Sequence, residues 1–378
     1  MSLKPSTLST AIALQQELEK ALAQIGEIDE CVLLNYPDYP NVGDHLIGLG
    51  TIIYLTQKLK TKINYVAGIY NFSEKIMEEK LGNSTIFLQG GGNLGDLWCD
   101  HQQFREEIIQ KYPHHRIIIL PQTIYFQEQD NLHRAAKIFN NHGNLTIFVR
   151  DPRSYALANQ YFPNCQVFLS PDMAFMLADL PIIRYLHYNW RQKKILYHCR
   201  DDKEIVAELN SSVLHLPKVV VQDWLPPEEK LQRSHITPDS PWYWHLPGAV
   251  KIYRELWQQR LSNPMRWLSK GLWEKYHPLN YFGTALDDIE NPKMLEVSED
   301  YFYRSTYQLN HYSLVITNRL HGHILCILLK IPHVFLPNSY GKNQLWHETW
   351  AKDIKFCRFA SSPATITQAI QELCPKFL

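Results

Sequence analysis

Short, nearly continuous apolar runs rich in β-branched residues alternate with helix-period segments over the first half of the chain. The runs fall at 31–35, 63–67, 85–89, 116–120, 145–150 and 166–169. Such unbroken apolar strands are those of a parallel sheet covered on both faces. Helical patterns lie between them at 45–58, 73–79, 100–111, 131–140 and 152–161. Ahead of the series, Ser6 or Thr7 is placed to cap a helix through Leu14, Leu18 and Leu22 that ends near Gly26. The alternation predicts a doubly wound α/β domain. Strand patterning lapses over 180–193, and a second series follows at 194–198, 219–222, 313–317 and 333–336. A terminal helix at 365–374 packs either on this second unit or back on the first. The expected fold class is therefore α/β, with two Rossmann-like doubly wound domains spanning 1–185 and 186–378.

Length agrees with that division, because 378 residues exceed what one core usually holds. Lys plus Arg and Asp plus Glu are equal at 38 each, so no global field draws the chain to nucleic acid. An anionic ligand would have to be held by local charge. The seven cysteines contain no C-x-x-C pair and suggest reduced thiols in a core rather than a disulfide framework. The N-terminus lacks the apolar block of a signal peptide, and no uncharged apolar run is long enough to cross a bilayer. The expected compartment is the cytoplasm.

Four segments sit where α/β proteins do chemistry, beyond the carboxyl ends of strands. After the first strand come Asn41, Gly43, Asp44 and His45, where Gly43 allows close backbone approach and a helix start favours an anion. A plain turn capped by Asp44 is the alternative. After the third strand, Gly90-Gly91-Gly92-Asn93 and Asp96 strip side chains from a strand end, either for a ligand or for a tight turn. After the fifth, Arg150-Asp151-Pro152-Arg153-Ser154 gives a cap at Asp151 and Pro at the first helical position. Two arginines at a helix start oppose its dipole, which suggests an anion between them or else a surface ion pair. In the second unit, Thr317-Asn318-Arg319-Leu320-His321-Gly322-His323 runs from a strand into a helix, and the loop after the next strand delivers Gly341-Lys342. Arg319, His321 and Lys342 thereby converge on one place, with His323 read as a core histidine. Neither His321-x-His323 nor His114-His115 is joined by the carboxylates or thiolates of a metal site. Asp201-Asp202 fits a solvated strand end better than a metal pair.

In this order, these features resemble the polysaccharide pyruvyl transferase family. The matching positions are Asn41-x-Gly43-Asp44, Gly90-Gly91-Gly92, Arg150-Asp151-x-x-Ser154, Asp172, Arg319-Leu320-His321-Gly322 and Gly341-Lys342, spread over about residues 31 to 352. The resemblance implies two domains arranged as in GT-B glycosyltransferases, with ligands in the cleft between them. It implies phosphoenolpyruvate as donor substrate, no further cofactor, and a saccharide acceptor, free or lipid-linked, that receives pyruvate as a cyclic ketal. Carried over by motif, His321 is the expected catalytic group with Arg319, and Arg150, Arg153 and Lys342 hold the donor. Asn41, Gly43, Asp44, Gly91, Gly92, Asn93 and Asp96 complete the expected binding set, with Asp44 or Asp96 as acceptor of the sugar's proton.

A nucleotide-sugar glycosyltransferase and a non-catalytic saccharide-binding protein are the rival readings. Six of ten tryptophans fall within 224–273, and residues 251–275 carry six cations against two acids. That composition suits either an interfacial helix on the cytoplasmic membrane face or the aromatic core of the second domain.

Overall fold

A computed structural model describes residues 10–186, 191–199, 219–224, 292–338 and 341–375. Asp201-Asp202 and the tryptophan-rich stretch beyond Trp224 lie outside the described residues. In the first half the order is α1 (Ala11–Leu22), β1 (Glu30–Leu34), α2 (Val42–Ile53), β2 (Lys62–Ala67), α3 (Glu74–Leu81), β3 (Thr85–Leu88), β4 (Gly91–Gly95) and α4 (Cys99–Lys111). There follow β5 (Ile117–Tyr125), α5 (Gln129–Asn140), β6 (Leu145–Val149), α6 (Pro152–Tyr161), β7 (Gln166–Leu169), a 3-10 segment (Met173–Asp179) and α7 (Pro181–Leu186). The second series is β8 (Gln192–His198), β9 (Val219–Gln222), α8 (Pro292–Asn310), β10 (Tyr312–Thr317), α9 (Leu320–Leu328), β11 (His333–Phe335), α10 (Lys342–Trp350), β12 (Cys357–Phe359) and α11 (Pro363–Leu373).

The strands form two sheets, β2-β1-β3-β5-β6-β7 with β4 on β5, and β12-β11-β10-β8-β9. Every pairing is parallel. In the first sheet the chain steps from β1 outward to β2, then crosses to β3 on the other side. In the second it steps from β8 to β9, then crosses to β10. Each sheet thus has a switch point, between β1 and β3 and between β8 and β10, where a crevice opens beyond the strand ends.

The glycine-rich segment differs from the expected turn. Pro121 has no N–H to give the ladder, and the register of β5 shifts between Ile119 and Gln122. Beyond that shift β5 runs on to Tyr125 and takes Gly91–Gly95 as the partner strand β4. Gly95 stands at φ +126, and a Cβ there would lie 1.7 Å from the Tyr125 carbonyl oxygen, so only glycine fits.

Helix α2 begins at Val42, three residues earlier than its periodicity indicates, because Asn41 rather than Asp44 caps it. It is apolar nearly all round and correspondingly buried nearly all round. One apolar cluster contains residues of α1, α2 and the 3-10 segment together with α8, α9 and α10, and so reaches across both sheets. α8 falls where the sequence reading predicts no element, although Leu295, Phe302 and Leu309 form a buried stripe along it. Its Ser298 hydroxyl lies 2.8 Å from the Tyr36 hydroxyl and 2.9 Å from His45 Nδ1, while Tyr301 stacks on His45 at 4.3 Å. The terminal helix α11 packs on β11 and β12 of the second sheet rather than on the first. Like α8, α10 reaches back to the first unit, its Trp350 Nε1 donating to the Arg150 carbonyl at 2.9 Å.

Candidate functional site

The loops at the two switch points enclose a cleft of about 640 Å³. At its centre the first turns of α2 and α9 meet, and their N–H groups give the place a positive partial charge. The His321 ring packs on Gly43: a Cβ at that glycine would lie 2.2 Å from His321 Nδ1. On the other side of the ring, Nε2 lies 3.5 Å from Asp172 Oδ2, ion-pair distance but long for a hydrogen bond.

Asp172 is fully buried and caps the 3-10 segment, its Oδ1 accepting from the Ala174 N–H at 2.9 Å. Its other oxygen is ion-paired with Arg150 Nη1, itself 1% exposed. Burial alone would raise the Asp172 carboxyl, but Arg150 and His321 hold it well below the usual carboxylate range. Arg150 Nε donates to Thr123 Oγ1 at 2.9 Å. Its Nη2 faces Gly92, where a Cβ would approach to 3.0 Å.

The opposite wall carries Asp44, whose Oδ2 accepts from the Tyr39 hydroxyl at 2.9 Å. Burial pushes the Asp44 carboxyl up, against the pull of His321, the Tyr39 hydroxyl and Arg150. Behind it Arg105, on α4, is wholly buried and donates to the Asn93 carbonyl oxygen at 2.8 Å and to its side-chain oxygen. Burial lowers the Arg105 guanidinium to about 10. His101 lines the cleft one turn before it, with Nδ1 2.7 Å from Asn35 Oδ1. Burial, then Arg105, lowers His101 to about 4, so it is neutral.

In the second sheet, Arg319 presents its guanidinium fork to Asp223, which follows β9. His198, at the end of β8, lies 3.8 Å from the same carboxylate and 3.1 Å from the Thr317 hydroxyl, with Trp224 edge-on at 4.0 Å. Lys342 lines the cleft from the first turn of α10.

Of the residues expected from the sequence, Asn41, Gly43, Asp44, Gly92, Asn93, Arg150, Arg319, His321 and Lys342 line this one cleft. Three do not. Gly91 lies behind it, with a Cβ there approaching Asp44 Oδ1 to 3.2 Å. Asp96 is occupied at the start of α5, accepting from the N–H groups of Gln127 and Glu128 at 2.7 and 2.8 Å. Those bonds hold its carboxyl low despite partial burial. Arg153 is exposed and lies over the Tyr125 ring at 6.0 Å, while Arg150 turns inward, so no anion is shared between them.

Sequence reasoning missed Asp223, Arg105, His101 and Tyr39. Asp223 follows a predicted strand directly, the position that marks a site in such sheets. Arg105 stands four residues after His101 on one helix face. The His321-x-His323 pair is split, His321 in the cleft and His323 buried against Phe335 at 4.0 Å. His323, His333 and Cys357 are the residues whose donor atoms could hold a metal ion among those described. None of the three lines the cleft. Their nearest nitrogens are already at hydrogen-bond distance, 2.7 Å, and His333 Nδ1 donates to the Ile331 carbonyl at 2.8 Å.

The sequence pattern that describes the polysaccharide pyruvyl transferases matches residues 41–244 and 286–340, and so includes both lips of this cleft. The chain belongs to that family. EpsO of Bacillus subtilis, which carries a pyruvyl transferase name, is 32% identical over 92% of this chain and 93% of its own. Pyruvyl transferase 1 of Schizosaccharomyces pombe is 27% identical over 85% of this chain and 70% of its own. A solved structure, protein KP1_0663 of Klebsiella pneumoniae, superposes with a TM-score of 0.54 at 17% identity. It covers 92% of this chain and 99% of that one, a likeness of fold. As a polysaccharide pyruvyl transferase, the chain is a transferase of polysaccharide biosynthesis. Among the described residues no helix is long and apolar enough to cross a membrane.

Proposed function

We propose that this cleft transfers the pyruvate unit of phosphoenolpyruvate to a saccharide as a cyclic ketal, releasing phosphate. The observation that carries the reading is His321, fixed between Gly43 and the Asp172 carboxylate where two helix N-termini meet. A carboxylate beside an imidazole orients the ring and stabilises its protonated form. The imidazolium gives its proton to the donor's methylene carbon, and the double-bond electrons form the new C–H bond. Positive charge develops on the carbon bearing the phosphate oxygen. A sugar hydroxyl attacks that carbon and gives its proton to Asp44, whose burial makes it the more basic carboxylate. The carbon–oxygen bond to phosphate then breaks, and phosphate takes the electron pair and carries away the proton held by Asp44. A second hydroxyl closes the ring, its proton passing to the neutral His321 imidazole and restoring the imidazolium.

Lys342 and the N–H groups of Arg150 and Arg319 not engaged by Asp172 and Asp223 supply positive charge for the donor's carboxylate and phosphate. Asp44 is preferred to Asp96 as the base because Asp44 lines the cleft, while Asp96 accepts from the N–H groups at the start of α5. Residues 1–185 and 186–378 are read as two domains facing the cleft in the GT-B manner, since loops of both sheets line it. The test is incubation with phosphoenolpyruvate and a panel of synthetic and lipid-linked glycosides, followed by mass spectrometry and phosphate assay. A glycoside gaining a pyruvate ketal with one phosphate released supports the reading. Nucleotide release from a sugar nucleotide in the same assay points to glycosyl transfer instead, and binding without either product to a saccharide-binding protein.

A further inference from the structure

We infer that Trp98 and Tyr70 form the acceptor subsite, a platform on which a pyranose ring lays its apolar face. The inference deepens the transfer reading by naming what receives the acceptor. Among the described residues eight large apolar side chains are exposed, and three of them, Tyr70 at 69%, Trp98 at 54% and Leu97 at 45%, line this one cleft. Exposed apolar side chains gathered in a concave site mark binding rather than folding.

Local structure gives no other reason for the tryptophan. Trp98 occupies the cap position of α4, where a short oxygen-bearing side chain is favoured, and it makes no capping hydrogen bond. Tyr70 stands in the loop after β2, where only its backbone is tied, the N–H donating to Asp38 Oδ2 at 2.8 Å. An aromatic face carries negative charge density and attracts the polarised C–H edges on one side of a pyranose. Asp100, two residues after Trp98 and also in the cleft lining, offers acceptors for the sugar's hydroxyls. The cleft has the volume of a site for a drug-sized ligand, more than a three-carbon phosphoester requires.

The test is saturation-transfer NMR on the full-length protein with methyl glycosides of glucose, galactose and mannose, and with lactose and cellobiose, in the absence of phosphoenolpyruvate. At least one sugar should receive saturation at its ring C–H groups. Trp98→Ala and Tyr70→Ala should each weaken its binding roughly tenfold, while Trp98→Phe keeps most of it. Ile76→Ala, which alters an exposed side chain away from the cleft, should bind as wild type. Both aromatic side chains are exposed, so these variants should fold, and circular dichroism checks this. Absence of saturation for every sugar, or alanine variants that bind as wild type, would overturn the proposal. So would phosphatidylglycerol-vesicle sedimentation that depends on Trp98 while sugar binding does not, since the platform would then serve a lipid surface. The two readings fail separately. Trp98-dependent sugar binding without any turnover of phosphoenolpyruvate keeps the subsite and removes the transfer. Transfer whose acceptor KM is unchanged in Trp98→Ala keeps the transfer and removes the subsite.

Discussion

Among the described residues, Gly43 and Asp172 stand against the His321 ring, and both can be altered without touching the residue itself. Gly43 has no side chain, and a methyl group there would occupy the space of His321 Nδ1. Gly43→Ala should therefore displace the ring while α2, capped by Asn41, stays helical. Turnover should fall toward that of His321→Ala, which loses at least ~10²-fold if the imidazole is the general acid. Full activity in a folded Gly43→Ala protein would show that the ring's position against α2 does not matter. Asp172→Asn tests the other neighbour. It removes the charge that faces both Arg150 and His321 while keeping the shape, so turnover should fall as the imidazole loses the carboxylate that orients it. Turnover equal to wild type in a folded Asp172→Asn protein would leave Asp172 as a partner of Arg150 alone. Asp172 is fully buried, so removing its charge also leaves Arg150 unpaired, and thermal stability must be measured beside the rates.

The elements place these residues through the topology of parallel sheets, and that much was open to sequence reading. Ten strand runs and their helices were legible because apolar strands covered on both faces read as unbroken runs, and parallel order then puts every following loop on one edge. What stayed hidden depends on contacts between distant elements. β4 exists only because Pro121 interrupts β5 and exposes it to a glycine segment, which no local pattern signals. α8 carries a buried apolar stripe in Leu295, Phe302 and Leu309, yet the sequence reading predicts no element there; its Ser298 and Tyr301 hold His45, in the first turn of α2 next to Asp44. The same holds for the cations. Sequence placed Arg150, Arg319 and Lys342 together as a clamp, but could not show that Asp172 and Asp223 already engage the two guanidinium groups. Lys342→Ala should weaken phosphoenolpyruvate binding by about 1.5–3 kcal/mol, the range for hydrogen bonds to charged groups. Acceptor binding should change little, and calorimetry with each ligand separates the two. Asp223→Asn should also disturb the donor, by loosening the Arg319 fork. Unchanged donor affinity in both variants would remove the second sheet's edge from the donor site.

At the scale of the whole molecule, buried neutral histidines accompany the apolar cluster that reaches across both sheets. His45 joins α2 to α8, His198 underlies Arg319 and Asp223, and His323, His333 and His347 fill the space beneath α9 and α10. Burial lowers His45 and His347 to about 4 and His333 to about 3, and drives His198 and His323 well below the ordinary value. The direction in which pH acts follows from linkage. In the unfolded chain each imidazole takes up a proton near its ordinary value of about 6.5. Below that pH the unfolded state binds more protons than the folded one, so stability falls with falling pH until the folded values near 4 are passed. Each such histidine contributes a slope of about 1.4 kcal/mol per pH unit in this window. Asp172 adds to the loss only below the ordinary carboxylate range, while raised Asp44 and Asp38 act in the opposite sense. The histidines therefore dominate between pH 6.5 and about 4.5. Urea denaturation at intervals of pH should show stability level above pH 7 and falling steeply below 6, well above the pH at which carboxylates protonate. His347→Gln should reduce the slope by one histidine's share while lowering stability at neutral pH. A stability that holds level from pH 7 to 5 would mean that these imidazoles are already hydrated or charged in the folded protein.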